Sequence, residues 1–293
     1  MDINFDLYRV FYIVVKAKTI SKAAEKLYIS QPAVSYSISQ LERKIGGRLL
    51  FRSPKGVTLT PDGEFIFKYI EQGYNFMIMA QNKFSELKNL GDGEIRIGAG
   101  DTLCKYYLLK YLEKFNKKYP GIKIKVINRT SPETLSLLQS GEIDMGIVNL
   151  PVKKTKNIRI MNLMEIQDCF VCSDKFKSES KISIKELISY PILLLEKGSI
   201  TRKYIDDFFY LKGYRIIPEI EFGSIDLLVQ FAKKGFGISH VIKDFVLDEL
   251  DNNNLFEVKL MENIPKRKIG LITISNVPNS FVTNKFLEML EFI

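Results

Sequence analysis

The sequence predicts an α/β chain fronted by a small all-α winged helix-turn-helix, then a long helix, then a body of alternating strands and helices. Three observations carry this reading. Short amphipathic helices broken by a tight turn fill the first 45 residues, a heptad pattern follows, and strand-like runs alternate with helical ones after the Gly91-Asp92-Gly93 break.

In the head, Phe5, Tyr8, Phe11, Tyr12 and Val15 recur at spacings of three and four, predicting a helix from Asn4 to Ala17. A second helix fits Ser21 to Leu27, with Ser21 as its cap and Ala23, Ala24 and Leu27 on one side. The third begins after Ser30. Pro32 suits its first turn, Val34, Ile38, Leu41 and Ile45 form its inward stripe, and Gly46-Gly47 ends it. Leu49–Arg52 and Val57–Leu59 flank a Pro/Gly turn and read as a hairpin, the wing.

Thr60-Pro61-Asp62-Gly63-Glu64 opens the long helix with a capping Thr, an early Pro and acids near the positive end. It runs to Leu90. Ile66, Ile70, Gly73, Met77, Ala80, Phe84 and Leu87 step by four and three, a seam that suits pairing with a second chain. A surface helix packed on its own domain is the alternative. The dimerisation candidates are Ile66, Ile70, Met77, Phe84 and Leu87.

Beyond the break, strands are expected at Ile95–Gly98, Ile122–Asn128, Ile143–Val148, Cys169–Cys172, Ile192–Leu195, Ile216–Glu221, Gly237–Ser239 and Lys268–Ile274. Helices are expected at Leu103–Lys118 and Pro132–Ser140, and from Thr201, Ser224 and Ser280. Strand–helix alternation of this kind predicts a parallel α/β body of one domain or two similar lobes.

The charge is uneven. Of a net +9, residues 1–60 carry 10 basic against 4 acidic residues, so most of the surplus sits in the head, where it points to a polyanion. There is no signal-peptide pattern, and no run approaches the roughly 18 apolar residues that span a bilayer, so a cytoplasmic protein without membrane contact is expected. Three cysteines make no disulfide framework. Cys169 and Cys172 have metal-like spacing but lie in a strand, where residues three apart face opposite sides. His240 is the single histidine, which leaves little for acid–base catalysis and no His-pair metal site. No catalytic residue, metal site or cofactor is assigned, and an enzyme is not expected.

The segment from Ser21 to Glu42 is the strongest signal. In a helix-turn-helix the second helix enters the major groove of duplex DNA. Ser30, Gln31, Pro32, Ser35, Tyr36, Ser37 and Gln40 lie on that helix or at its start, and Gln31 can pair with adenine through two hydrogen bonds. Arg52 and Lys55 on the wing suit phosphate or minor-groove contact.

Ala23-Ala24-Glu25-Lys26-Leu27, Ser30-Gln31-Pro32-Ala33-Val34-Ser35, Leu41-Glu42, Leu50-Phe51-Arg52 and Leu59-Thr60-Pro61-Asp62-Gly63 resemble the LysR-type bacterial transcriptional regulators. The likeness continues through Ile97-Gly98-Ala99, Leu138–Asp144, Gly198–Arg202 and Gly235–Ile238, and so covers essentially the whole chain. Lys110 departs from the proline common in the family and, being on an exposed position, changes little.

The resemblance implies domains at 1–60 (DNA binding), 61–90 (dimerisation helix) and 91–293 (effector binding). The last would be a two-lobed, type II periplasmic-binding-protein-like unit. Its lobes would be 91–149 with 266–293, and 150–265, with crossovers near Val148–Leu150 and Pro265–Lys268. It implies promoter DNA as partner, a homodimer or homotetramer, contact with RNA polymerase in an activator, and a small-molecule co-inducer between the lobes. By the same resemblance Gly100, Asp101, Thr102, Thr130, Ser131, Ser199, Thr201 and Arg202 face that cleft. Helix starts attract anions, which favours a carboxylate or oxyanion. Asp101 repels a bare anion and so points to an effector with both amino and carboxyl groups, or else it caps the helix and faces away.

Two other classes compete. A solute-binding component accounts for the body but not the head, and an enzyme requires a catalytic constellation that the sequence does not supply.

Overall fold

The computed structural model describes residues 3–88, 93–153, 155 and 157–290. The chain forms two compact units, Met1–Ser85 and Glu86–Ile293.

The first unit contains α1 (Phe5–Ala17), α2 (Ile20–Leu27), α3 (Gln31–Ile45), β1 (Leu50–Ser53), β2 (Gly56–Leu59) and α4 (Pro61–Lys88). Thr19 rather than Ser21 caps α2: the helix starts one residue earlier than expected, and the Thr19 hydroxyl accepts the Lys22 N–H at 3.2 Å. Ser30 caps α3 by accepting the Ala33 N–H at 3.4 Å, and Gly46 ends the helix in the left-handed conformation. Val34, Ile38 and Leu41 are buried against Phe11 and Val14 of α1 and against Leu27 of α2.

Glu42 fastens the wing. Its Oε1 accepts the N–H groups of Leu49 (2.8 Å) and Leu50 (3.2 Å). The Thr60 hydroxyl donates to Arg48 O at 2.7 Å and accepts the Gly63 N–H at 2.9 Å, so one side chain joins the wing to the start of α4. Gly63 is required there, because a Cβ would lie 2.1 Å from Leu49 O.

Residues 61–85 fold with the head. Phe67 is buried in its core, and Ile66 and Ile70 pack on the edge of it. Those two seam positions therefore serve their own domain as well as a groove that continues along α4. Further on, Met77 (52% exposed) and Phe84 (61%) stand clear. The Leu87 side chain lies outside the described residues.

The second unit has two lobes. The chain first lays down β3 (Gly93–Ala99), α5 (Asp101–Leu103), a π-helical turn (Cys104–Leu108), α6 (Leu109–Lys118), β4 (Ile122–Asn128), α7 (Ser131–Gln139), β5 (Met145–Asn149) and β6 (Ile158–Ile166). It then crosses into β7 (Asp168–Cys172), α8 (Ile184–Leu187), β8 (Ile192–Leu195), α9 (Ile200–Leu211), β9 (Ile220–Phe222), α10 (Ile225–Lys233), β10 (Ile238–Ile242), α11 (Leu247–Asp251) and β11 (Phe256–Val258). It returns as β12 (Arg267–Ile274) and ends in α12 (Phe281–Met289). The sheets run β4-β3-β5-β12-β6 and β11-β7-β10-β8-β9.

Both sheets are mixed, not parallel throughout. β3 pairs in parallel with β4 and β5, and β8 with β9 and β10, whereas the strands at the crossovers run antiparallel to their neighbours. β6 corrects the expected lobe boundary. It pairs with β12 from Ile166↔Arg267 to Ile158↔Ile274, so residues 158–166 belong to the first lobe and the first crossover is at Gln167, not at Val148–Leu150. The return falls within Pro265–Lys268 as expected. The strand expected at Ile216–Glu221 shrinks to three residues, since Pro218 has no N–H for a sheet ladder.

Gly63→Ala should destabilise the head by about 1–3 kcal/mol, as overpacking against rigid backbone does. Denaturant unfolding of the head signal checks this; an unchanged midpoint would mean that α4 and the wing separate freely.

Candidate functional site

The helix that the head presents outward is α3. With Val34, Ile38 and Leu41 inward, Pro32, Tyr36, Ser39 and Arg43 follow at steps of four, three and four along the opposite face, and all are exposed. Ser30 and Gln31 are exposed at its start, while Ser35, Ser37 and Gln40 flank the stripe half-buried. The Ser37 hydroxyl donates back to Ala33 O at 3.0 Å, which leaves it only acceptor capacity. Ser39 and Arg43 were missed by reading chemical type rather than helical position; the three-and-four spacing from Pro32 would have found them.

The wing divides its two expected contacts. Lys55 is exposed at the tip. Arg52 folds back onto α3, with Nη2 donating to Ser39 Oγ at 3.4 Å and lying 3.9 Å from Glu42 Oε2.

In the second unit, the starts of α5, α7 and α9 converge on a cavity of about 160 Å³ between the lobes. Gly100, Asp101, Thr102, Thr130, Ser131, Ser199 and Thr201 all line it, together with Asn128, Arg129 and Asn149. Each hydroxyl also has a structural partner. Ser199 Oγ accepts the Arg202 N–H at 3.0 Å, and Ser131 Oγ accepts the Asn149 N–H at 3.0 Å. The Thr130 N–H (3.0 Å) and hydroxyl (2.7 Å) both donate to Glu133 Oε2. Asp101 Oδ1 accepts the Thr102 N–H at 2.8 Å and the Thr102 hydroxyl at 3.4 Å; Gly100, not Asp101, is the cap residue of α5, and Asp101 lines the cavity.

Arg202 is a correction. It lies on a different side of α9 from Thr201 and is buried away from the cavity. There its guanidinium donates to Leu195 O at 2.7 Å, to Asp206 at 2.9 and 3.0 Å, and to Glu221. The cavity's cation is Arg129 instead, whose Nη1 donates to Asn128 O at 2.8 Å. Its position directly before Thr130 was the available signal.

Behind the cavity floor sits a buried ionic junction. Arg267 (5% exposed), the first residue of β12, donates through Nε (2.5 Å) and Nη2 (3.0 Å) to Asp168 (2% exposed), the first residue of β7. It also donates to Asn149 Oδ1 at 2.6 Å and Thr201 Oγ1 at 3.1 Å, two residues that line the cavity. His240 Nε2 lies 3.2 Å from Asp168 Oδ1, but off the line of a good hydrogen bond, and Nδ1 has no partner among the described residues. Burial pushes the Asp168 carboxyl upward; the His240 contact and the Arg267 charge outweigh it and hold the group below its ordinary value.

The cysteines of β7 lie on opposite faces, Cys169 in one hydrophobic cluster and Cys172 in another. Burial raises both thiols, Cys172 to about 11, which makes them poor nucleophiles at neutral pH.

A head with one helix free for the major groove, in the same chain as a body that closes on a small cavity ringed by helix starts, defines a DNA-binding transcription regulator. Comparison with known proteins makes the assignment specific. Residues 5–64 match the bacterial regulatory helix-turn-helix of the lysR family, and residues 88–292 match the LysR substrate binding domain. The regulator CysL of Bacillus subtilis is 27% identical over 289 residues, 98% of this chain and 96% of that protein. The transcriptional activator CmpR of Synechocystis is also 27% identical, covering 97% and 93%. Among solved structures, the LysR family regulator CbnR superposes with a TM-score of 0.66 at 17% identity, covering 99% and 98% of the two chains. A full-length OxyR variant of Pseudomonas aeruginosa gives 0.69 at 19%, covering 99% and 94%. At these identities the structures speak for the fold.

The chain belongs to the LysR family. It is a transcription regulator with a substrate-binding domain, as its relatives are, and not an enzyme.

Asp168→Asn should cost about 3–5 kcal/mol, because it strands the buried Arg267 charge. A carboxyl held low in the fold contributes its full stabilisation above the unfolded pKa of about 4 and loses it as pH falls further. Urea unfolding should therefore show the wild-type advantage over Asp168→Asn at pH 7 and its shrinkage toward pH 3; an advantage independent of pH would mean that the carboxylate's charge is not what stabilises.

Proposed function

We propose that this regulator binds promoter DNA as a homodimer or homotetramer and is switched by a small zwitterion, bearing amino and carboxyl groups, in the interlobe cavity. The observation that carries the effector class is the pairing of Asp101 with Arg129 in one cavity of about 160 Å³. A carboxylate suits Arg129 and the N–H groups at the start of α9, and an ammonium suits Asp101. A bare oxyanion would meet Asp101 unpaired.

A groove of about 650 Å³ along α1 and α4, lined by Phe5, Tyr8, Tyr69, Ile70, Met77 and Ile78 among others, supports pairing of two chains. CbnR has been crystallised with its target DNA, in a chain that matches this one with a TM-score of 0.67. CmpR is described as an activator, and contact with RNA polymerase follows if this chain activates too. Among the described residues no helix is long and apolar enough to cross a membrane.

The test is a panel of amino acids, carboxylates and oxyanions scored by melting temperature. A ligand at about 100 times its dissociation constant stabilises the fold by roughly 2.7 kcal/mol. Amino acids should raise the transition, and Asp101→Asn should abolish the gain while preserving promoter binding. A shift from bare oxyanions that grows in Asp101→Asn would overturn the zwitterion reading. On the head, Gln31→Ala should weaken promoter binding more than nonspecific binding, by about 1–3 kcal/mol; equal loss in gel-shift titrations of both DNAs would remove Gln31 from base reading.

A further inference from the structure

The two lobes are joined by two chain crossings, at Gln167 and just before Arg267. The buried Arg267–Asp168 junction lies at those crossings and holds them together. A second interlobe contact, carried by other segments of the cavity wall, differs from it in exposure. Lys105 and Tyr106, consecutive residues of the π-helical turn in the first lobe, both reach Asp226 in the first turn of α10 in the second. Lys105 Nζ donates to Asp226 Oδ1 at 2.7 Å and the Tyr106 hydroxyl donates to the same oxygen at 2.8 Å. The Tyr106 ring stacks on Phe245 of the second lobe, with centroids 4.9 Å apart and planes 3° from parallel. Lys105 Nζ also lies 4.7 Å from the centre of the Tyr106 ring, which holds the two side chains as a unit.

Each segment that carries this contact also walls the cavity. Asp101–Leu103 precede Lys105, Ile225 precedes Asp226, and Ile242 lies three residues before Phe245. The wider turn of a π-helix presents consecutive side chains closer in direction than an α-helix does, which lets both residues converge on one carboxylate oxygen. The side chains of Lys105 and Asp226 are about half-exposed. An ion pair in such a setting is weak and readily broken, unlike the buried junction.

We propose that Lys105, Tyr106 and Asp226 form an interlobe latch that holds the cavity closed in the absence of effector and that opens to admit it. The latch sets how much of the protein is open to an incoming ligand, and therefore the apparent affinity and the rate of entry. It acts on the cavity that the zwitterion reading assigns to the effector and rests on that reading for its regulatory meaning. Its mechanical part, closure by these three residues, stands alone.

Hydrogen exchange on the full-length protein with no small molecule added tests the closure. Lys105→Met/Tyr106→Phe removes the donors while leaving the Phe245 stack and the acidic first turn of α10 in place. Amides in 100–104 and 199–203 should then exchange about tenfold faster, with the head unchanged. Asp226→Ala should reproduce the effect. Unchanged exchange in Lys105→Met/Tyr106→Phe overturns the latch. So does faster exchange confined to 225–233 in Asp226→Ala, which would mark Asp226 as a local helix-start charge. A failed latch leaves the zwitterion reading intact, and a ligand panel without a hit leaves the latch intact.

Discussion

The interaction on which the effector half depends is the buried pair between Arg267 and Asp168. A guanidinium and a carboxylate lose several kcal/mol of hydration each when they enter a protein interior, and their attraction offsets this only when further hydrogen bonds complete the set. Here the set is completed from both lobes. Asn149 comes from the end of β5, Thr201 from the start of α9, and the two ionic partners open β12 and β7, the strands that follow the crossings. The junction can form only when the lobes are folded and in register. Because Asn149 and Thr201 also line the cavity, the geometry of the ligand site and the geometry of the crossings share the same atoms.

This arrangement gives the cavity a fixed side and a side that can open. The junction is buried and ionic, while the Lys105–Asp226 pair of the proposed latch is half-exposed. The helix starts around the cavity are likewise divided. Ser199 and Thr130 hold the starts of their own helices, while Ser131 accepts from Asn149 of β5 and Thr201 from Arg267, so the hydroxyls that looked like anion-binding groups already have structural partners. The charges that the proposed zwitterion would meet are Asp101 and Arg129, both of which line the cavity.

Much of this was legible in the sequence wherever a local rule decides the outcome. The caps at Ser30 and Thr60, the inward stripe of α3 and the strands at Ile122–Asn128 and Ile192–Leu195 follow from spacing and turn chemistry alone. β6 was not legible. Its apolar residues lose strict alternation at Met161, Leu163 and Met164, where the pairing with β12 shifts register between Ile269 and Gly270, and an edge strand has no need to be apolar throughout. Missing it moved the expected crossover by some 17 residues, from Val148–Leu150 to Gln167. Arg202 was misplaced for another reason. Membership of a helix start says nothing about the side of the helix, and Leu195 O, Asp206 and Glu221 turn the side chain away from the cavity. The partners of Arg267 come from 66 to 118 residues away along the chain, a separation that no local pattern encodes.

A double-mutant cycle on the junction tests this account most directly, with urea unfolding of the full-length chain carrying Arg267→Met, Asp168→Leu or both. Each single variant leaves an unpaired buried charge, so the account predicts that the double variant is more stable than either single one. Losses that simply add would show that the two residues act independently, and the lobes would then be registered by something other than this pair.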